Sequence, residues 1–349
     1  MRLLFCLLLS VLQSVAIIAQ AVKSNLTKVT DRIYMISHTD GPGGRVFGNT
    51  TVLLGDQSIM VIDAPNIVTA TADIALIKQL STKPVKFLVN THWHPDHQRG
   101  NHTYKKAFPD VTILAHEKMP ELMMSFEPGN LKRFINRYEL ASEQLKTGKD
   151  KSGKPLTDSA KRAMMAQQTL LAETYQEIKT HTIQVPDMLI KDKITLDLGH
   201  FPVEILHLGA FDSKDPIVVY AKNAGVLISG DIVVHPIPYF FAGFPYESIR
   251  TLEKLNSMEF TKLIPGHGPL LTDHQYVNDV LELMKYTRDR VMKEVHARGS
   301  LFTNVDEIVK VIDVSTYRKK FAGNNQELGE FFDEAVDGLI RDLFYQIDK

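Results

Sequence analysis

Cysteine is all but missing from this chain: its 349 residues contain one, Cys6, and that one falls in the apolar N-terminal run. Disulfides therefore cannot hold the fold, and stability must come from a hydrophobic core. An excess of one charge is missing too, since 40 Lys and Arg face 41 Asp and Glu, for a formal net charge of −1. No basic stripe offers a nucleic-acid surface and no charge block forms a tail. Repeats and low-complexity stretches are absent. A long apolar run occurs only in MRLLFCLLLSVLQSVAIIAQA, where Arg2 precedes it and Ala19-Gln20-Ala21 closes it. That is the pattern of a cleaved secretory signal over residues 1–21, so an exported protein, periplasmic or secreted, is expected. Gln13 and Ser14 interrupt the run, which is shorter than the roughly 20 residues of a spanning helix, so no stable membrane insertion is expected after cleavage. Sequons at Asn25, Asn49 and Asn101 matter only in a eukaryotic secretory route.

What is present is an alternation of extended and helical patterns. RIYMIS, TTVLLG and SIMVIDA are β-rich runs; a helical stretch follows over about 67–80, and then come VKFLVN and VTILAH. A layered α/β domain over 22–275 is predicted. Within it, 118–185 reads as an inserted helical hairpin around the polar loop TGKDKSGKPLTD. Leu131, Phe134, Ile135, Tyr138 and Ala141 share one helical face, and Ala160, Met164, Leu171, Tyr175 and Ile178 another. Thr157 or Asp158 is the expected N-cap. Met119, Met123, Met124, Met164 and Met165 are expected to fill core rather than to line an adaptable pocket. Strand patterns return in KITLDL, FPVEILHLG, IVVYAK, GVLISGDIV and TKLIPGHG, with a helix over about 247–257. A long helix from near Thr272 to Gly299 leads into a C-terminal helical extension over 276–349.

Histidine is where the chain is rich. Of 13 in all, three crowd with an aspartate into His92–His97 of NTHWHPDHQRGN. Desolvating so many polar groups together costs on the order of several kcal/mol unless something binds them, and a metal ion does. His92 and His94, two apart at a strand end, leave on one side, with Trp93 pointing the other way. Asp96 and His97 turn with the loop toward a second ion. Imidazole and carboxylate are the ligands that Zn²⁺ takes in catalytic sites, where one position stays open for water.

THWHPDH resembles the His-x-His-x-Asp-His signature of the metallo-β-lactamase superfamily, and MVIDAP, LISGDIV with Asp231, and LIPGHGP with His267 follow in the family's order. The resemblance covers roughly 28–275 and implies an α/β fold, a four-layered αββα sandwich with a dinuclear site at the strand ends. Here it would carry the inserted helical hairpin and the C-terminal helices. Position by position it implies His92 and His94 on a first ion, Asp96, His97 and His267 on a second, and Asp231 as bridge. Two Zn²⁺ ions are expected, with Fe²⁺ or Mn²⁺ as alternatives. One position departs from the family: HLGAFDSKDPIVVY puts Asp212 where a histidine is usual. Either Asp212 ligates or supports the first ion, making it a weaker Lewis acid with less metal selectivity, or its shorter side chain fails to reach.

The activity so implied is an exported metal-dependent hydrolase acting on a small molecule, with Asp96 orienting the attacking water and relaying its proton. The substrate would be a carbonyl or phosphoryl compound such as a β-lactam, a lactone or another ester. Two other classes compete: a mononuclear non-haem iron oxygenase built on His92, Asp212 and Asp231, and a catalytically weak metal-binding scaffold. Arg45, in the glycine-rich loop TDGPGGRVFGN, is an anion contact or part of a plain turn. Arg99 and Asn101 either meet substrate or, by default, lie in a solvated loop. His116 and His207 read as framework, and His235 equally as support for the site or as scaffold. Tyr239, Phe240, Phe241 and Phe244 are expected to be buried rather than to wall a pocket.

Overall fold

The computed structural model describes residues 24–38, 47–240, 243–298 and 304–347. The expected signal segment, Arg45 and Phe241 lie outside the described residues. The β-rich runs become twelve strands among these residues: β1 (Ser24–Lys28), β2 (Ile33–His38), β3 (Thr50–Leu54), β4 (Ile59–Ile62), β5 (Val85–Val89), β6 (Thr112–His116) and β7 (Met188–Ile190), then β8 (Lys193–Asp197), β9 (Pro202–Leu206), β10 (Val218–Ala221), β11 (Val226–Val234) and β12 (Lys262–His267). The helices are α1 (Ile67–Leu80), α2 (Pro95–Gln98), α3 (Asn101–Ala107), α4 (Met119–Thr147), α5 (Asp158–Lys179), α6 (Pro245–Asn256), α7 (Gln275–Arg298), α8 (Val305–Val311), α9 (Ser315–Ala322) and α10 (Gln326–Tyr345).

Strands β1 to β7 form one sheet in sequence order, antiparallel up to β4 and parallel from there, where α1 and the later helices make the crossovers. The second sheet has the order β12-β11-β10-β9-β8, with β11 and β12 parallel. Their inner faces meet in one core, Met60, Ile62, Phe87 and Leu114 against Val203, Ile205, Val219 and Ile228. Strand β4 shows why a two-residue period is hard to read here. Met60 and Ile62 face the other sheet, while Ile59 and Val61 pack on Ile74 and Ile77 of α1, so the whole strand is apolar. On the far side Leu227 and Leu263 pack under Leu252, Val277, Val280 and Leu339. Helix, sheet, sheet, helix: this is the four-layered αββα sandwich, and the helices after residue 275 share the outer core of the second sheet.

The hairpin forms as its faces predict. Tyr138 stacks on Tyr175 with ring centroids 4.1 Å apart, and Gln168 Nε2 donates to the Tyr138 carbonyl, so α4 and α5 run antiparallel. Gly148 ends α4 at φ 68, a left-handed position that suits glycine, and the Thr157 hydroxyl oxygen accepts from Ala160 N–H at the start of α5. The methionines divide. Met119 and Met123 are buried as expected, but Met124 and Met165 are exposed and Met164 lines a cleft, because a two-helix layer has an outer face with nothing to cover it. No helix among the described residues is long and apolar enough to cross a membrane.

Candidate metal centre

The site lies at one end of the sandwich, on the seam between the sheets. His92, His94, Asp96 and His97 follow β5 of the first sheet; Asp212 lies between β9 and β10, Asp231 in β11 and His267 at the end of β12, all of the second. Strand β5 stops at Val89, so His92 and His94 sit on a turn rather than on the strand end predicted. Both still converge. Trp93, half-buried, stacks on Phe126 at 4.8 Å and meets the His94 ring edge-on at 4.7 Å.

All seven candidate residues come together, in two groups: His92, His94, Asp212 and Asp231, and beside it Asp96, His97 and His267. In the first, Asp212 Oδ2 is 3.3 Å from His92 Nε2 and 3.2 Å from His94 Nδ1, and Asp231 Oδ2 is 3.7 Å from His92 Nε2. In the second, His97 Nε2 and His267 Nε2 are 3.2 Å apart, and Asp96 Oδ2 is 3.3 Å from His267 Nε2. The other oxygen of Asp231, Oδ1, lies 3.2 Å from His97 Nε2 and 3.4 Å from His267 Nε2. One carboxylate thus turns one oxygen to each group. The shorter side chain of Asp212 does reach.

The donor set fits divalent cations. Ligands about 2.0–2.2 Å from a tetrahedral ion stand about 3.3 Å from one another, close to the spacings seen. His92 Nε2, Asp212 Oδ2 and Asp231 Oδ1 are buried with no hydrogen-bond partner, which is costly unless an ion takes them. Burial holds His92 down at about 4, so its imidazole is neutral and able to ligate at neutral pH. At His267 burial works the same way but is outweighed by Asp231 and Asp96, which push it up to about 10. At Asp231 burial favours the neutral acid, yet the cationic His97 and His267 hold the group well below the usual carboxylate range. In the protein alone these carboxylates keep protons on His97 and His267; a cation would displace them.

Three backbone features place these groups. The β11–β12 register shifts around Gly230, a bulge that re-aims Asp231. Gly230 has φ 52, and a Cβ there would lie 2.7 Å from the Thr91 side chain. A Cβ on Gly266 would come within 1.9 Å of Asp231 Oδ1. The third is Asp63, which the sequence reading left without a role although MVIDAP ends its strand with it. Buried at φ 61, Asp63 accepts from Thr91 N–H (2.7 Å), the Thr91 hydroxyl (2.7 Å) and His97 Nδ1–H (2.8 Å). Once a cation displaces the Nε2 proton, that last bond would keep the remaining proton on Nδ1 and leave His97 Nε2 free to ligate. A polar residue ending a fully apolar parallel strand was the available signal.

The remaining candidates separate cleanly. Asn101 is buried and exchanges amide hydrogen bonds with Asn90 (2.8 and 3.0 Å), so it neither meets substrate nor sits in a solvated loop. Arg99 is half-buried and pairs with the buried Glu127 of α4, Nε to Oε1 at 2.5 Å, which ties the site's loop to the hairpin. His207 donates from Nδ1 to the Pro216 carbonyl and its ring lies 4.2 Å from that of His116, away from both groups. His235 packs on Tyr276 and joins neither group. Phe240 is buried and Phe244 half-buried, but Tyr239 walls the cleft beside His94. Burial, with Asp212, Asp231 and Asp96 nearby, pushes its phenol up to about 12, so it keeps its proton at neutral pH.

Above the centre opens a cleft of about 630 Å³, bounded by His94, Asp96, Arg99 and Tyr239 on the sandwich and by residues of both hairpin helices opposite. That volume suits a drug-sized ligand.

Residues 43–285 match the profile of the metallo-beta-lactamase superfamily, and the chain belongs to that superfamily. It is similar to a linear primary-alkylsulfatase of Pseudomonas sp. (strain ATCC 19151), 25% identical over 301 residues, 82% of this chain and 53% of that protein. The chain therefore spans about half the length of this curated relative. Among solved structures, a metallo-beta-lactamase from Pontibacter korlensis superposes with a TM-score of 0.53 at 17% identity, over 75% of this chain and 99% of that one. VMB-1 superposes with a TM-score of 0.51 at 15% identity, over 75% and 97%. These two likenesses are of fold.

Proposed function

We propose that the protein is an exported metal-dependent hydrolase that cleaves an ester-type bond of a small molecule. The observation that carries this reading is the pair of ligand groups around one shared carboxylate, Asp231, at the floor of an open cleft. His92, His94 and Asp212 would hold a first cation and Asp96, His97 and His267 a second, with Asp231 between them. Each set offers two imidazoles and one carboxylate besides the shared Asp231, donors that suit zinc and also Fe²⁺ or Mn²⁺. Bound there, divalent cations supply ionisation of water near neutral pH and positive charge for the developing oxyanion. Asp96, its side chain 40% exposed where those of Asp212 and Asp231 are 0% and 6%, is the site carboxylate open to the cleft. It is placed to orient water and to pass its proton toward the leaving group. Tyr239, still protonated, can donate to a substrate oxygen. The alkylsulfatase relative supports sulfuric esters as the first class to try, beside lactams, lactones and phosphodiesters. The apolar N-terminal segment supports export.

The test is metal content of protein purified without added zinc, together with hydrolysis of one substrate from each class, for wild type, Asp212→Ala and Asp212→His. Two equivalents of divalent metal and turnover of one class are expected, with Asp212→Ala losing about one equivalent and about 100-fold or more in rate. A single iron and oxygen-dependent turnover would instead establish the oxygenase alternative. Poor metal retention without turnover would leave a scaffold.

A further inference from the structure

The cleft wall contributed by α4 is one helical face, running from Asn130 to Gln144, about 21 Å at 1.5 Å per residue. Its cations are not equivalent. Arg99, at the base, is neutralised by the buried Glu127. Arg133 and Arg137 lie about 9 and 15 Å further along α4 from Glu127, both exposed and both lining the cleft. Arg133 touches only the amide oxygen of Asn130, and among the described residues neither arginine has a carboxylate within ion-pair distance. Among the described residues the one acidic residue of the cleft lining, Asp96, is at the floor with the ligand groups. Two like charges four residues apart weaken a helix by about 0.2–0.5 kcal/mol, so helix stability does not account for the pair. Toward the floor the α4 face carries Asn130, and Phe134 lies between the two arginines along the helix.

We infer that the substrate carries a second anionic group, set at a distance from the scissile bond, and that Arg133 and Arg137 bind it. Guanidinium forks suit carboxylate, sulfate or phosphate alike, and the hairpin thereby acts as a ruler that selects substrates by the distance between two polar ends. This rests on the hydrolase reading, because the scissile end is defined by the metal groups.

The experiment measures binding to the metal-loaded protein by calorimetry, with a length series of α,ω-alkanedicarboxylates and the matching monocarboxylates as probes. One carboxylate should occupy the metal floor in either series; only the diacids offer a second. Diacids of one optimal length should bind about tenfold or more tightly than the monoacids of that length, and Arg133→Gln/Arg137→Gln should abolish the difference while leaving monoacid affinity and thermal stability unchanged. In parallel, esters with and without a terminal carboxylate should differ in KM rather than kcat, and only in wild type. Equal binding of diacids and monoacids by wild type, or a diacid advantage that survives the double substitution, overturns the inference alone. Absence of any monoacid binding together with absence of ester turnover overturns the hydrolase reading, and this inference with it.

Discussion

The floor and the wall of the cleft are built on opposite terms. On the floor nearly every group is buried and cross-tied: Asp63 holds Thr91 and His97, Asn90 and Asn101 lock to each other, and glycines at 230 and 266 let backbones pass within contact of the ligand groups. The hairpin has half-buried faces, exposed Met124, Phe126, Leu140 and Met165, and one stacked tyrosine pair along its length. Chemistry that needs fixed geometry sits where packing over-determines it, and recognition sits where change costs little stability. Substitutions in the two regions should therefore fail in different ways.

The largest effect is expected at the floor. Gly266→Ala drives a methyl into Asp231 Oδ1 and the backbone at Gly230, so it should cost about 3 kcal/mol in denaturant unfolding and remove most bound metal. Retention of both metal and stability would show that the seam can shift, which would weaken the contrast. Asp63→Asn should leave the fold intact but turn an amide N–H toward His97 Nδ1, favouring the wrong tautomer. Metal affinity, measured by competition with a chelator, should drop about 10- to 100-fold.

Chelation should itself expose the charge balance of the floor. In the metal-free protein His267 is pushed up to about 10 from 6.5, because Asp231 and Asp96 outweigh burial. A raised folded-state pKa contributes stability that is complete below the unfolded value and is lost as pH climbs through the folded one. The urea midpoint of chelated protein should thus fall between about pH 6.5 and 10, while the metal-loaded protein, whose ligands hold no such protons, should not follow it. Parallel curves would refute the proposed competition between proton and metal. The smallest effect belongs to the wall: Tyr138→Ala, which removes the stack on Tyr175, should cost about 1 kcal/mol and leave metal stoichiometry unchanged.

The ligand groups were legible because histidines and aspartates crowd into a few short motifs, and the order of those motifs implied the sandwich through its resemblance to a known family. Asp212 was found because the resemblance puts a ligand histidine at that place in HLGAFDSKDPIVVY. Three things were not legible. The turn after Val89 carries His92 and His94 off the strand, since only hydrogen bonding decides where a ladder stops. Asp63 resembles any aspartate that ends a strand until its three donors are seen. The arginines of α4 look like a solvated face, and only the apposition of α5 and the pairing of Arg99 with Glu127 set them apart. The burial of Met124 and Met165 was mispredicted because helical period identifies a face without saying whether another layer covers it.

The seam between the sheets has a consequence for how the protein matures. Each ligand group draws on residues before 98 and after 211, so no fragment ending within the hairpin could bind an ion with its full set of donors. A nascent chain would have to emerge past Asp231 to complete the first group and past His267 to complete the second, and the two halves would have to dock before a cation met its full set of donors. Loading would then act as a rivet through the finished sandwich, and metal content would report completed folding.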